Sequence, residues 1–211
     1  MEPHETIQRW WDDDASVYDD SAGHAISDPV EAAAWRRALE VTLPDPVARV
    51  LDVGTGTGAI ALAIADEHPG ARVTAVDVSE DALALARENV ERTGLPVELR
   101  HHDLFDGLPG EGWDLVVSNP PYVREEELPS LPSGVVEWEP GVALVGRGHT
   151  EGVVREAANV LRPDGALVLE VHEGAAAAVA SLLEAEGFVE VRTTADLAGR
   201  DRVVEGRWSR P

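Results

Sequence analysis

The sequence of 211 residues contains no cysteine and no lysine. Without cysteine, the chain can form neither disulfide bonds nor thiolate metal sites. Its seven histidines show no metal-ligand spacing with carboxylates, so we expect no metal centre. No apolar run approaches the roughly 18 residues that a membrane span needs, and the N-terminus lacks the basic and apolar pattern of an export signal. These absences predict a cytoplasmic protein without a membrane segment.

The charge of the chain is strongly one-sided. The 17 basic residues are all arginine and face 40 acidic residues, which gives a formal net charge of −23. A surface of this sign repels the phosphate backbone of nucleic acids and attracts basic partners. An acidic composition can also be a property of a whole proteome. The charge therefore only lowers the expectation of a nucleic-acid substrate.

A glycine-rich turn follows the first apolar segment of the chain. Residues 50–53 read as a buried strand, and Gly54, Gly56 and Gly58 come directly before an apolar helical segment. Glycine lets the backbone approach a ligand closely, and a helix N-terminus adds N–H donors and positive potential. About twenty residues further on, Asp77 ends the next predicted strand, where a carboxylate can accept hydrogen bonds from ribose hydroxyls. The pattern predicts an adenosine-type nucleotide at the edge of a parallel sheet.

A polar corner follows another apolar run. Residues 113–117 read as a buried strand, so Asn119 lies just past a strand's carboxyl end, where open α/β sheets bind ligands. An asparagine side-chain carbonyl can accept one N–H of a planar NH2 group, and a neighbouring proline carbonyl can accept the other. Pro120 and Pro121 stiffen the backbone, and Tyr122 offers a flat packing face. The corner suits a planar nitrogen that attacks an electrophile, although the same residues also occur in ordinary polar turns.

Two nucleotides fit the glycine-rich turn. The spacing of Gly54, Gly56 and Ala59 also satisfies the relaxed dinucleotide fingerprint, so NAD is the rival ligand. Asp52 and its acidic surroundings suit the ammonium and sulfonium groups of S-adenosylmethionine better than a pyrophosphate. The corner at Asn119 gives a methyl acceptor its place but has no role in hydride transfer. We therefore predict S-adenosylmethionine (SAM) as the cofactor.

The combination of these motifs resembles a known family. Residues 50–58, Asp77 and residues 119–122 are similar to class I SAM-dependent methyltransferases that modify planar nitrogens. Further segments, at 139–144, 161–170 and 196–204, narrow the resemblance to the HemK/PrmC family of protein-(glutamine-N5) methyltransferases. That family implies, as substrate, the Gly-Gly-Gln loop of a peptide chain release factor. The resemblance covers residues 48–208.

The resemblance also implies a role for each motif residue. It makes Asp77 the ribose anchor, places Asp103 beside the adenine, and makes Asn119, Pro120 and Tyr122 the catalytic residues that hold the glutamine amide. The cofactor-binding residues implied are Asp52, Gly54, Thr55, Gly56, Gly58, Asp77, Val78, Asp103, Leu104 and Asn119. The substrate-binding residues implied are Asn119, Pro120, Pro121 and Tyr122.

The sequence departs from the family pattern in several places. Residues 1–46 read as a short helical lead-in or cap instead of the long helical domain with which the family docks its substrate, and they resemble the start of small-molecule methyltransferases. An activator subunit would be one replacement for that domain. Residues 145–149 differ from the corresponding segment of the family pattern. Glu139 is similar to an acidic residue of the family, but we assign it no role. The alternatives that stay open are a small-molecule N-methyltransferase, a methyltransferase of exocyclic amines in RNA or DNA bases, and a non-catalytic cofactor-binding subunit.

Strand and helix signals alternate from residue 47 onward, which predicts a doubly wound α/β sheet. The family resemblance implies a Rossmann-like sheet of seven strands, mostly parallel and with the last strand antiparallel. We expect residues 1–46 to form a helical flap and residues 47–211 a SAM-binding methyltransferase domain. The predicted later elements are helices at 153–161 and 175–186 and strands at 97–100, 166–171, 188–192 and 202–208.

Overall fold

A computed structural model describes residues 48–122, 146–172, 174–196 and 198–209. The predictions for residues 1–46 and for Glu139 lie outside the described residues. The strands are β1 (Arg49–Val53), β2 (Arg72–Asp77), β3 (Val97–His101), β4 (Trp113–Ser118), β5 (Leu161–Glu170), β6 (Phe188–Ala195) and β7 (Asp201–Trp208). The helices are α1 (Ala59–Glu67), α2 (Glu80–Thr93), α3 (His149–Val160) and α4 (Ala176–Glu186), with a short 3-10 helix at Leu104–Asp106.

The seven strands form one sheet in the order β3-β2-β1-β4-β5-β7-β6. The first five strands in this order pair in parallel, whereas β7 runs antiparallel to both β5 and β6. The predicted doubly wound sheet with an antiparallel last strand is confirmed. The chain moves outward from β1 to β3 and then returns to the other side of β1, so the order reverses between β1 and β4. Ligands of open α/β sheets bind at such a switch point.

Apolar side chains cover both faces of the sheet. In β1, Val50 and Leu51 are both fully buried but belong to different core clusters, because successive strand residues point to opposite faces. Val50 shares its cluster with Ile60 of α1, and Leu51 shares its cluster with Val153 of α3 and Leu183 of α4. Burial on both faces explains why the parallel strands read as continuous apolar runs.

The main difference from the predicted elements lies in β5. This strand begins at Leu161, where Trp113 of β4 pairs with it, and the regular pairing resumes with Leu115 opposite Ala166. The residues between form an irregularity inside β5, with Asp164 at a φ of 63°. The predicted start at Ala166 was therefore wrong, because the turn signal at 163–165 marks a bulge within the strand.

The other element ends shift by smaller amounts. Helix α3 begins at His149 because Gly148, with a φ of 81°, supplies its N-cap. Strand β6 continues to Ala195, beyond the predicted end at Arg192, because it stays paired with β7. Among the helices in the described ranges, none is long and apolar enough to cross a membrane.

Candidate active site at the switch point of the sheet

The first wall of the site is the glycine loop, residues 54–58, between β1 and α1. Gly54, Gly56 and Gly58 have positive φ angles of 71°, 57° and 85°. The backbone N–H groups of Gly54 and Thr55 donate to the carbonyl of Val76 at 2.9 and 3.0 Å, which ties the loop to β2. A Cβ atom added at Gly54 or Gly56 would meet no atom within 4 Å. The loop backbone therefore faces open space in which a ligand can lie against it.

Asp77 at the end of β2 connects the glycine loop to the neighbouring strand. Its Oδ2 accepts a hydrogen bond from the N–H of Gly56 at 2.8 Å, and its Oδ1 accepts one from the N–H of Ser79 at 2.8 Å. Each carboxylate oxygen can accept more than one hydrogen bond, so both remain able to bind a ligand's hydroxyl groups. Val78 follows and is 51% exposed at the same edge. These positions agree with the predicted ribose anchor, whose role stays a prediction.

Asp52 lies beneath the glycine loop and is fully buried. Its Oδ2 accepts a hydrogen bond from Oγ1 of Thr55 at 2.6 Å. Burial, with a smaller contribution from the negative charge of Asp77, raises the pKa of Asp52 to about 7, although the Thr55 hydrogen bond opposes the rise. Asp52 thus contacts the loop through Thr55, and a direct contact between its side chain and a ligand stays a prediction.

The second wall is the corner, residues 119–122, which follows β4. Strands β1 and β4 pair with Val53 opposite Ser118, so Asn119 leaves β4 at the level at which Gly54 leaves β1. The buried hydroxyl of Ser118 donates to the carbonyl of Val53 at 2.6 Å and joins the two strand ends. Asn119 is half-buried, whereas Pro120 is buried. The glycine loop and the corner therefore lie side by side at the switch point.

Two residues that are distant in sequence pack against the corner. The backbone of Gly146 lies so close that an added Cβ would be 2.5 Å from the carbonyl oxygen of Pro121 and 2.9 Å from the Cα of Tyr122. The ring of Tyr122 meets the ring of His172, with 5.7 Å between centroids and an interplanar angle of 58°. Sequence reasoning missed both partners. The available signal for His172 was its position directly after an apolar strand, which is also the position of Asn119.

The third wall follows β3. Oδ1 of Asp103 accepts a hydrogen bond from the N–H of Phe105 at 2.9 Å and begins the 3-10 helix. Leu104 packs toward α3, since a Cβ added at Gly152 would lie 3.2 Å from its Cδ2. Phe105 is 60% exposed, and its ring centroid lies 5.2 Å from that of His149. Burial lowers the pKa of His149, and the charge of Asp103 opposes the shift. Phe105 is exposed and His149 is half-buried, and sequence reasoning singled out neither.

The predicted site residues gather at one edge of the sheet. Asp77 ends a parallel strand, and Gly54, Asp103 and Asn119 follow parallel strands, whose carboxyl ends meet at that edge. With Asp52 below, three of the groups here are carboxyl groups, which favour a cationic ligand over a pyrophosphate. In the part of the chain that the structure describes, no group of three His, Asp or Glu side chains is placed to hold a metal ion.

Known proteins match this arrangement in sequence and in fold. The family model "Methyltransferase small domain" matches residues 36–131. The chain is 43% identical over 175 residues to the release factor glutamine methyltransferase of Cereibacter sphaeroides, a match that covers 80% of this chain and 63% of that protein. It is 40% identical over 172 residues to the release factor glutamine methyltransferase of Salmonella typhimurium, covering 79% and 62%. The chain thus spans about three fifths of the length of these relatives.

A solved structure supports the fold independently. The crystal structure of a methyltransferase from Pyrococcus furiosus superposes with a TM-score of 0.66, and the match covers 97% of this chain and 99% of that one. The identity between the two is 18%, so this likeness speaks for the fold alone. It agrees with the predicted Rossmann-like sheet.

Proposed function

We propose that this protein belongs to the HemK/PrmC family of methyltransferases, as its similarity to release factor glutamine methyltransferases supports, and that it transfers the methyl group of SAM to a glutamine side chain. The acceptor is the N5 nitrogen in the Gly-Gly-Gln loop of a peptide chain release factor. The single observation that carries the proposal is the pairing of Val53 with Ser118, which sets the corner beside the glycine loop. The names of the relatives support the choice of acceptor.

The residues around the glycine loop fit SAM. The open space over Gly54 and Gly56 accommodates the cofactor close to the backbone. The carboxylate of Asp77 accepts hydrogen bonds from the ribose hydroxyls, and Asp103 lies beside the adenine. When bound, SAM supplies a methyl group on a positively charged sulfur. The carboxyl groups at this edge favour that charge and disfavour the pyrophosphate of the rival ligand, NAD.

The corner holds the acceptor nitrogen. The side-chain carbonyl of Asn119 and the carbonyl of Pro120 each accept one N–H bond of the glutamine amide, and the ring of Tyr122 packs on the amide plane. Drawing both hydrogens toward acceptors frees the nitrogen lone pair from conjugation, which stabilises the transition state more than the ground state. An amide nitrogen loses its proton readily once it is alkylated, so the proposal includes no dedicated general base.

The remaining parts of the proposal concern the whole chain. Residues 1–46 form the lead-in and residues 47–211 the methyltransferase domain, although the matched family model already begins at residue 36. The partner is a protein, as the names of the relatives support, and the net charge of −23 lowers the expectation of a nucleic acid. The compartment is the cytoplasm, where release factors act.

The proposal is tested by following a labelled methyl group. The full chain is incubated with SAM that carries an isotopically labelled methyl group and with purified release factor, and the digested Gly-Gly-Gln peptide is measured by mass spectrometry. We expect one added methyl group on the glutamine. The matched control is a release factor whose loop glutamine is replaced by glutamate, which removes the acceptor nitrogen and should stay unmodified.

Other outcomes separate the parts of the proposal. Label found only in small amines or in nucleic-acid bases would disprove the release factor as substrate while keeping methyl transfer. If SAM binds but no acceptor becomes labelled, the protein is a cofactor-binding subunit without catalytic activity. The same incubation should therefore include transfer RNA and a mixture of small primary amines.

A further inference from the structure

His172 lies beside the corner but has no part in the function described above. It is exposed and follows β5 by two residues. Strands β4 and β5 are parallel, with Ser118 opposite Leu169, so the chain leaves both strands at the same edge of the sheet. A histidine at this position is therefore placed next to the residues that hold the acceptor.

The backbone around His172 is well anchored. The N–H of Val171, a buried residue, donates to the carbonyl of Arg202 at 2.9 Å, which extends the pairing between β5 and β7 by one step. The carbonyl of His172 itself accepts a hydrogen bond from the N–H of Ala175 at 3.0 Å, just before α4. The imidazole ring is thus carried by a segment that is held on both sides.

The contact between His172 and Tyr122 has the geometry of an aromatic pair. The ring centroids are 5.7 Å apart and the planes meet at 58°, within the range in which tilted rings attract each other. Gly146 packs against the backbone of residues 121 and 122. Gly146 therefore restrains the main chain of Tyr122, and His172 restrains its ring.

We propose that His172 is a positioning residue that fixes the orientation of the Tyr122 ring and, through it, the plane of the acceptor amide. This inference rests on the proposed function, because it requires that Tyr122 packs on a planar acceptor. Alignment of the attacking nitrogen is a large part of the rate enhancement in such a displacement, and a small misplacement lowers the rate strongly. His172 contacts neither the cofactor nor the acceptor in this role.

The test combines three variants with a peptide that contains Gly-Gly-Gln. His172→Ala should lower kcat by about tenfold, with the Kd for SAM measured by calorimetry unchanged. His172→Phe keeps a ring at this position and should recover most of the lost rate. His68→Ala is the matched control, since His68 follows α1 at the opposite edge of the sheet, and it should keep the rate of the wild type.

A double substitution shows whether His172 acts through Tyr122. If it does, adding His172→Ala to a Tyr122→Ala protein should produce no further loss of kcat, because the ring to be positioned is already absent. A full additional loss in that background would overturn the inference. So would a His172→Ala protein with unchanged kcat, or one in which the melting temperature and SAM affinity fall together with the rate.

A measurement without acceptor separates this inference from the proposed function. In the NMR spectrum of the substrate-free protein, the ring of Tyr122 should shift the imidazole protons of His172, and Tyr122→Leu should remove that shift. If the wild type methylates no glutamine peptide while the shift is present, the proposed function fails and the ring contact stands. If the shift is absent, the positioning role fails whatever the acceptor.

Discussion

The glycine loop and the corner lie on adjacent strand ends, yet they are held in different ways. Hydrogen bonds to the adjacent strand β2 hold the glycine loop: Gly54 and Thr55 donate to Val76, and Gly56 donates to Asp77. Close packing rather than hydrogen bonding holds the corner in the contacts described above. Its backbone meets Gly146, and its aromatic ring meets a histidine after β5.

This difference predicts that cofactor affinity and turnover respond to different substitutions. A loop that is fixed by hydrogen bonds to the adjacent strand β2 should keep its shape when the far half of the sheet is altered, so cofactor binding should survive such changes. The corner depends on tertiary packing, so changes to the far half of the sheet should lower the rate of methyl transfer. Substitutions on the two sides should therefore separate cofactor affinity from turnover, and the following predictions test that separation.

The largest effect is expected for Asn119→Ala. Removing a preorganised acceptor of an N–H bond should lower turnover by about 10³-fold, whereas the affinity for SAM should stay near that of the wild type. Transfer of labelled methyl groups and calorimetry measure the two quantities. Asn159→Ala is the control, because Asn159 lies on α3 and bonds only to nearby Glu156 in the described structure. A fully active Asn119→Ala protein would disprove the assignment of the corner.

Gly146→Ala should displace the corner without touching the glycine loop. The new Cβ would fall 2.5 Å from the carbonyl oxygen of Pro121, a distance at which the backbone has to move. We expect turnover to fall by about 100-fold, since a shift of an ångström in alignment has that effect, while SAM affinity is kept. Equal losses of turnover and SAM affinity would show that the two walls are not independent.

Asp52→Asn should change the pH dependence of stability on the side of the glycine loop. In the folded protein the pKa of Asp52 is raised from 3.8 to about 7, so the folded state holds this proton more tightly than the unfolded state. The associated stability is present below the ordinary pKa and is lost as the pH rises through the folded pKa. The wild type should lose about 2 kcal/mol relative to Asp52→Asn between about pH 5 and about pH 7.

Urea unfolding at a series of pH values measures this difference. The variant keeps an oxygen that accepts the hydrogen bond of Thr55, so the loop should remain intact. Parallel stability profiles for the two proteins would show that Asp52 is ionised in the folded state.

The smallest effect is expected for Gly56→Ala. Gly56 and Gly94 both have positive φ angles, 57° and 69°, and an added Cβ meets no atom within 4 Å at either position. Alanine at either site should lower the free energy of unfolding by about 1 kcal/mol through backbone strain. Only Gly56→Ala should also weaken SAM binding, by about fivefold, because its Cβ enters the open space of the site. Equal SAM affinity in both variants would contradict the assignment of the glycine loop.

Much of the fold can be predicted from the sequence because the parallel strands are buried on both faces. Such strands appear as apolar runs separated by helical segments, and β4 was located in this way to within one residue. The start of β5 could not be predicted, because it depends on the pairing of Leu161 with Trp113, far away in sequence. A Pro-Asp-Gly signal looks the same in a turn and in a bulge.

The same distinction applies to the site. Gly54, Asp77 and Asn119 could be predicted to lie together because each stands at the carboxyl end of an apolar strand, and parallel strand ends converge. Gly146 carries no such signal. His172 does follow an apolar strand, but its contact with Tyr122 arises from the order of strands in the sheet. A glycine required by a close backbone approach has no local signature in a single sequence, and the ring contact becomes visible only once β5 is known to lie beside β4.

The position of β7 has a consequence for the folding of the protein during its synthesis on the ribosome. β7 fills the place next to β5 and pairs with it from Ala166 to Glu170, so until residues 201–208 have been synthesised one side of β5 presents unpaired backbone groups. The segment that carries His172 cannot settle before then. The pairing of the sheet next to the corner is therefore completed only when residues 201–208 join it.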